Sequence, residues 1–410
     1  MPWTETLSIK REHRIMEVLQ RHGVPVPKLY GLCPAPEGIL MDAVPGKDRF
    51  DDHDPQHHRD DVLLEYIDAL VRAQDIDPDE FEKQGFGRPS DPTQIGLMGF
   101  DLSESWYRKV KPTPDPVHEF IIGWIRRNIP QRSEVTWVHF DAGQFLHQSG
   151  HMTAVMDVEF ACLGDPLADL GAMRMRDTAQ PIGNLTLAFK HYAESTGRDV
   201  DSHVVNFNAV RFAVLTSMLS IGERFDPSSR FDLAQWEAWS VMAQLICLTI
   251  IAEETGAELP QDFDDVPGAG SRRRPWSRSI ERVLDDILSD LSDEDFAAFR
   301  IRIARDMAIA IGSADELADA TEQLDRADEE ALLGVRPNNW READEALEQY
   351  VLKARPDEDT SIVAFLYQRL RRQQMILDPA MRDVRNFTVQ KVDWSEVNAR
   401  PGAAPERGQQ

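Results

Sequence analysis

The chain has 410 residues, with 71 acidic against 45 basic side chains and a formal net charge of −26. That charge argues against a general nucleic-acid binder, which needs a basic footprint, and against docking on an anionic membrane. The length favours two domains, and 42% hydrophobic residues suffice for a sizeable core. The three cysteines, Cys33, Cys162 and Cys247, are scattered and show no zinc spacing or disulfide framework, which fits a reducing, cytoplasmic setting.

The opening stretch "MPWTETLSIKREHR" has no long apolar signal-peptide core. Residues 9–22 place Ile15, Val18 and Leu19 on one helical face, and Gly23 stops the helix. "VPVPKLYGLC" predicts a Pro-punctuated edge strand, and Ile39 to Met41 a short second strand before a turn at Pro45-Gly46. Residues 59–75 are helical by period, "GFGRPSDPTQIG" is expected as a loop, and 117–128 as an amphipathic helix closed by Pro130.

Two short strands follow, "TWVHF" and "MTAVM". From 181 to about 255 the pattern is helical, and "VMAQLICLTIIA" at 241–252 is too short to span a membrane, so it is expected as a buried helix. Residues 261–276 are expected to be a linker, 277–395 a helical domain, and 396–410 a disordered tail.

The chemistry concentrates in 137–171. Asp141 leaves the first short strand two residues after His139, and Asp157 ends the second. If the chain doubles back through the turn at Gly150, the two carboxylates approach each other. Such a pair suits two tasks: holding a hard cation and accepting a proton from a hydroxyl nucleophile. Phosphoryl transfer needs both. An Asp beside a turn equally serves as a cap or closes an Asx-turn. In "GDPLADL", Asp165 is expected as a turn residue and Asp169 as a buried acceptor bracing the loop.

Several motifs carry a resemblance: His139-Phe140-Asp141, Phe145-Leu146, "TAVMDVE" at 153–159, "LGDPLADL" at 163–170, "REHRIMEVLQRHGVPVPKLYG", "GFGRP", Trp106, "WIRRNIP" and "YAESTGRDVD". Together, over roughly 9–250, they resemble the aminoglycoside phosphotransferase/choline kinase-like family. The likeness is closest to the branch related to the kinase-like part of acyl-CoA dehydrogenase fusion proteins. The resemblance implies an α+β, protein-kinase-like fold with a truncated N-terminal lobe (1–45), a helical C-terminal lobe (46–260) and an extra α-helical C-terminal domain.

The resemblance also implies an ATP-dependent transfer of the γ-phosphate to a hydroxyl of a small molecule. Asp141 would be the catalytic base and His139 a brace of its loop. Asp157 would be the main Mg²⁺ ligand. Glu12 would sit on the helix whose Glu pairs with the phosphate-binding Lys. Met41, Asp42 and Ala43 would offer backbone groups to adenine. Where such substrates are cationic, acidic residues read them, and Glu159 and Asp165 lie close by in sequence.

Three departures qualify this. The sequence begins at the Glu-bearing helix, without the strand segment that carries the phosphate-covering loop and the lysine. Gln144 lies thirteen residues before Asp157, the family's Asn-to-Asp interval, so it takes the place of the metal-binding Asn; a surface Gln in a turn fits as well. Phe140 replaces the usual Gly and Val158 the usual Trp. The alternative is a catalytically degenerate pseudokinase or ligand-binding protein, and a weaker third is a metal-dependent hydrolase using Asp141, Asp157 and His147. A small hydroxylated substrate is the expected partner, with no nucleic acid and no membrane. The C-terminal helices offer faces for homo-oligomerisation or for covering the site.

Overall fold

In the computed structural model, residues 8–51, 53–260, 266, 270–292 and 294–399 are described. In chain order the elements are α1 (Ile9–Arg21), β1 (Leu29–Pro34), β2 (Glu37–Met41), α2 (Gln56–Gln74), α3 (Pro78–Glu82), α4 (Pro92–Leu97), α5 (Phe100–Val110) and α6 (Pro116–Arg127). Then come β3 (Thr136–Val138), β4 (Phe145–Gln148), β5 (His151–Val155), β6 (Cys162–Gly164), α7 (Ala168–Ala179), α8 (Leu185–Thr196), α9 (Ser202–Phe225) and α10 (Leu233–Thr255). The remainder is helical: α11 (Arg274–Ser289), α12 (Phe296–Leu333), α13 (Trp340–Val351), α14 (Asp359–Leu377) and the short α15 (Trp394–Val397).

These elements form two compact units. One comprises residues 1–99, 129–209 and 388–410; the other comprises 100–128 and 210–387. The expected lobe 46–260 is therefore shared between them. The segment holding α5 and α6 belongs with the later helices because its charges are satisfied there. Lys111 pairs with Glu348, and Arg127 reaches Asp359 at 2.7 Å.

The first unit holds three two-stranded antiparallel pairs: β1–β2, β3–β6 and β4–β5. The two strands expected around Asp141 and Asp157 thus belong to different pairs. β4 and β5 form a hairpin whose two turn residues, Ser149 and Gly150, have φ of 54° and 81°. That left-handed pair is the turn that matches strand twist in a tight hairpin. The core beneath is built from α2, α7 and α8, where Tyr66, Ile67, Leu70, Leu170 and Phe189 are buried with Trp137 and Val138 of β3. The second unit is all helix among its described residues. α10 is apolar on every face and buried over Val241–Ile251 apart from Thr249, packed on α14 and α12. α9 is long and apolar enough to cross a membrane by composition alone, and 83% of its most apolar stretch is buried.

Three sequence expectations need correction. The loop at 85–96 ends at Asp91, whose carboxylate caps α4 through the N–H groups of Thr93 and Gln94, with Pro92 at the first helical position. Of the linker, 261–265 and 267–269 lie outside the described residues, while Arg274–Trp276 already open α11. Of the tail, 400–410 lie outside the described residues, but Asn398 is fixed by paired hydrogen bonds with the Val200 backbone.

Candidate active site

The loop from His139 to Gln144 leaves β3 and enters β4. Asp169, buried in the first turn of α7, holds its start: its carboxylate accepts the backbone N–H of His139 at 3.1 Å and of Phe140 at 3.0 Å. Asp169 is thus the bracing acceptor expected from sequence. Phe140 sits at φ 73° with its ring buried 6.3 Å from Phe160. A non-glycine residue there costs about 1–3 kcal/mol. Glycine takes this left-handed conformation without that cost. The Phe140 ring packs inward.

His139 is fully buried and locked on both nitrogens. Its Nε2 lies 2.8 Å from the Met156 carbonyl and 3.1 Å from the Asp157 carbonyl, so Nε2–H is the donor. Nδ1 then accepts from the Tyr66 hydroxyl at 2.8 Å, and the Tyr66 oxygen accepts the Gly143 N–H at 2.8 Å. Burial holds the imidazole below its ordinary pKa, as this neutral tautomer requires. One ring therefore ties the Asp141 loop to the backbone at Asp157.

Asp141 is half-buried. One carboxylate oxygen pairs with Arg176 of α7, and the other accepts the Gln144 side-chain N–H at 2.8 Å. Gly143, at φ 99°, lets Arg176 pass: a Cβ there would sit 3.0 Å from Arg176 Cδ. The Gln144 carbonyl oxygen points away from this bond and has no partner among the described residues.

Asp157 is exposed and left-handed at φ 52°, and its carboxylate has no hydrogen-bond or ion-pair partner among the described residues. Around it stand Glu12 and Glu159. Burial raises both pKa values, and the Asp157 charge raises them further; Glu159 also feels Glu12 and Asp141. These four carboxylates therefore share one field. Arg11, one residue before Glu12, anchors α1 here: its guanidinium donates to the carbonyls of Glu159 and Ala161 and lies 4.7 Å over the Phe86 ring. Glu12 itself has no cationic partner among the described residues.

Among the described residues, no group of three or more His, Cys, Asp or Glu side chains is placed to hold a metal ion. The donor set nevertheless fits Mg²⁺, which keeps several waters and takes one or two protein oxygens beside substrate phosphates. The free Asp157 carboxylate and the Gln144 amide oxygen are the residues that would hold it.

Met41, Asp42 and Ala43 end β2. The Asp42 N–H is spent on the Lys28 carbonyl at 2.9 Å, and its carboxylate accepts the Tyr30 hydroxyl at 2.7 Å. Ala43 keeps its N–H and carbonyl unpaired and exposed, so the offer to a base narrows to Ala43 and the Asp42 carbonyl. No hydrogen bond joins 41–43 to the 139–157 loops among the described residues; beyond 43 the chain reaches that hairpin at Pro45 and Lys47, and before it Pro25 accepts the Val155 N–H at 2.7 Å.

Two further sequence expectations fail. Asp165 is fully buried, bonded to Arg132 at 2.7 Å and closing its own turn onto Leu167, so it cannot read a substrate. His147 is buried against Phe50 and turned to the Arg49 carbonyl, away from Asp141, which removes the histidine from the hydrolase reading.

Residues 4–200 match the family model described as "Phosphotransferase enzyme family". A curated relative, acyl-CoA dehydrogenase family member 10 of Mus musculus, is 29% identical over 180 residues, covering 40% of this chain and 16% of that protein's length. The 4–200 segment is thus similar to the aminoglycoside phosphotransferase-like family. Among solved structures, an aminoglycoside phosphotransferase from Ralstonia eutropha JMP134 is 21% identical, covers 58% of this chain and 80% of its own, and superposes with a TM-score of 0.48. The macrolide 2′-phosphotransferase of Brachybacterium faecium is 16% identical over 53% and 79% of the two chains, with a TM-score of 0.43.

Proposed function

We propose that the chain is an ATP-dependent small-molecule phosphotransferase that passes the γ-phosphate to a hydroxyl group. The observation that carries this is the His139 ring, which binds the Asp141 loop and the Asp157 backbone into one unit. Mg²⁺, when bound at Asp157 and Gln144, would neutralise charge on the nucleotide phosphates.

The residues of the chain supply the rest. Asp141 accepts the proton of the attacking hydroxyl. Arg176 holds that carboxylate in a single rotamer, and the incoming hydroxyl displaces the Gln144 N–H from the second oxygen. Gln144, so released, would offer its amide oxygen to a bound Mg²⁺. The neutral His139 donates outward and takes no proton, so it positions and does not react.

A second reading has its own observation. The Asp141 carboxylate is doubly occupied and Glu12 stands without a cation, as a binding protein that has lost turnover would show. Incubation with γ-labelled ATP, Mg²⁺ and a panel of hydroxylated amines, sugars and hydroxy acids separates the two. Label transferred to a small molecule by the wild type and not by Asp141→Asn supports the enzyme. ATP binding without transfer or hydrolysis supports the degenerate form.

A further inference from the structure

Helix α11 carries two apolar seams, and one of them is bare. Ser277, Leu284 and Leu288 are buried or half-buried, and Ser277 lies so close to α12 that a Cβ on Gly312 would sit 2.6 Å from its hydroxyl. The adjacent seam is largely uncovered among the described residues: Trp276 is 68% exposed, Ile280 52%, Val283 56% and Ile287 41%. Their spacing of four, three and four is the rhythm of a two-helix seam. Ile311 of α12, 61% exposed, borders the same side, across a groove of about 740 Å³ floored by Ala304, Ala308 and Gly312.

The charges along α11 are segregated. Arg272, Arg273, Arg274, Arg278 and Arg282 crowd its start, interrupted by Glu281, while Asp285, Asp286, Asp290, Asp293, Glu294 and Asp295 crowd and follow its end. Within the chain Arg273 already pairs with Asp315, Arg274 with Glu281 and Glu316, and Asp285 with Arg305. A parallel pair would set like against like. An antiparallel pair sets the arginine end of each helix against the acidic end of the other.

We propose that this face is a homodimer interface, with α11 packed antiparallel on α11 of a second copy about a two-fold axis beside residues 281 and 282. In that register Ile280 meets Val283 of the second copy, Trp276 meets Ile287, and Arg273 lies opposite Asp290. The contact is isologous and closes on itself. The four seam residues with Ile311 present on the order of 500–600 Å² of side chain per copy, and the flanking charges bring this towards the ~800 Å² per partner of a standard interface. A chain of net charge −26 repels its copies elsewhere; here arginines of each copy face carboxylates of the other.

The full chain in a sedimentation experiment at about 10 µM, where an interface of this class holds, is expected to show twice its 46.6 kDa mass. The double substitution Ile280→Glu/Val283→Glu is expected to give a monomer with unchanged helix content, since both side chains are exposed in a single copy, and to lose the concentration dependence of its melting temperature. With a short bifunctional thiol reagent, and the wild type as background, Ile280→Cys should cross-link to itself. Asp290→Cys should not, because the antiparallel register holds its two copies roughly 25 Å apart at 1.5 Å per residue. A monomeric wild type overturns the proposal, as does a dimer that survives the double substitution or equal cross-linking at 280 and 290. A monomer whose Trp276 is shielded only on adding phospholipid vesicles would assign the face to a membrane, which also overturns it.

Discussion

The Tyr66 hydroxyl lies 2.8 Å from His139 Nδ1 and 2.8 Å from the Gly143 backbone nitrogen, so one side chain of α2 holds both ends of the Asp141 loop. Tyr66→Phe removes the shared oxygen and leaves a buried N–H and a buried ring nitrogen unpaired. The expected cost is about 1–3 kcal/mol in urea unfolding. Tyr66→Phe should also lower the rate of phosphoryl transfer more than it weakens ATP binding, because the loop is loosened and Asp157 is not removed.

Asp141 and Asp157 should separate by assay. Asp141→Asn keeps the shape of the group and removes the proton acceptor. Transfer should fall by roughly 10²–10⁴, with Mg²⁺·ATP affinity within a few-fold of wild type by calorimetry. Loss of nucleotide binding in Asp141→Asn would place its carboxylate on the metal instead.

The acidic field around Asp157 makes a pH prediction. Glu12 and Glu159 have raised pKa values, first from burial and then from neighbouring carboxylates. Their contribution to stability is therefore full below the ordinary carboxyl value near 4.5 and is lost as pH rises through the raised values. Glu12→Gln should raise the melting temperature at pH 7 by roughly 1–2 °C, with no gain at pH 4. Since a divalent cation relieves the same repulsion, Mg²⁺ should stabilise the wild type more at pH 7 than at pH 5, read by thermal shift.

The segment after Thr388 is tied down at several points, and one amide makes three of the bonds. Gln390 donates to Asp177 and to the Gly183 carbonyl, both at 2.9 Å, and accepts the Leu185 N–H at 2.8 Å. Burial pushes the Asp177 carboxyl up to about 6. Gln390→Ala should release the segment locally, speeding tryptic cleavage after the exposed Lys391 about tenfold for ~1.4 kcal/mol of lost docking.

The sequence showed α1, α2 and α6 because each buries one face and so writes its period into the residues, and it showed β3 and β5 as short apolar runs, while β4 was not read as a strand. It lost α12 after about residue 311. There the helix turns acidic, and ion pairs such as Arg372 with Asp325 and Asp328 replace apolar burial. The positions of Asp141 and Asp157 were legible through their motifs. The groups that hold them were not, because Arg176, Tyr66 and Arg11 act across 35, 73 and about 150 residues of chain. The inward turn of Phe140 was equally hidden, since only the backbone shows that its position is left-handed.

The most direct test is a calorimetric titration of ATP into wild type and Asp157→Ala, each with and without Mg²⁺. The shared-site account predicts Mg²⁺-dependent binding by the wild type that Asp157→Ala abolishes without loss of fold. Binding of equal strength in both proteins, or indifferent to Mg²⁺, would contradict it.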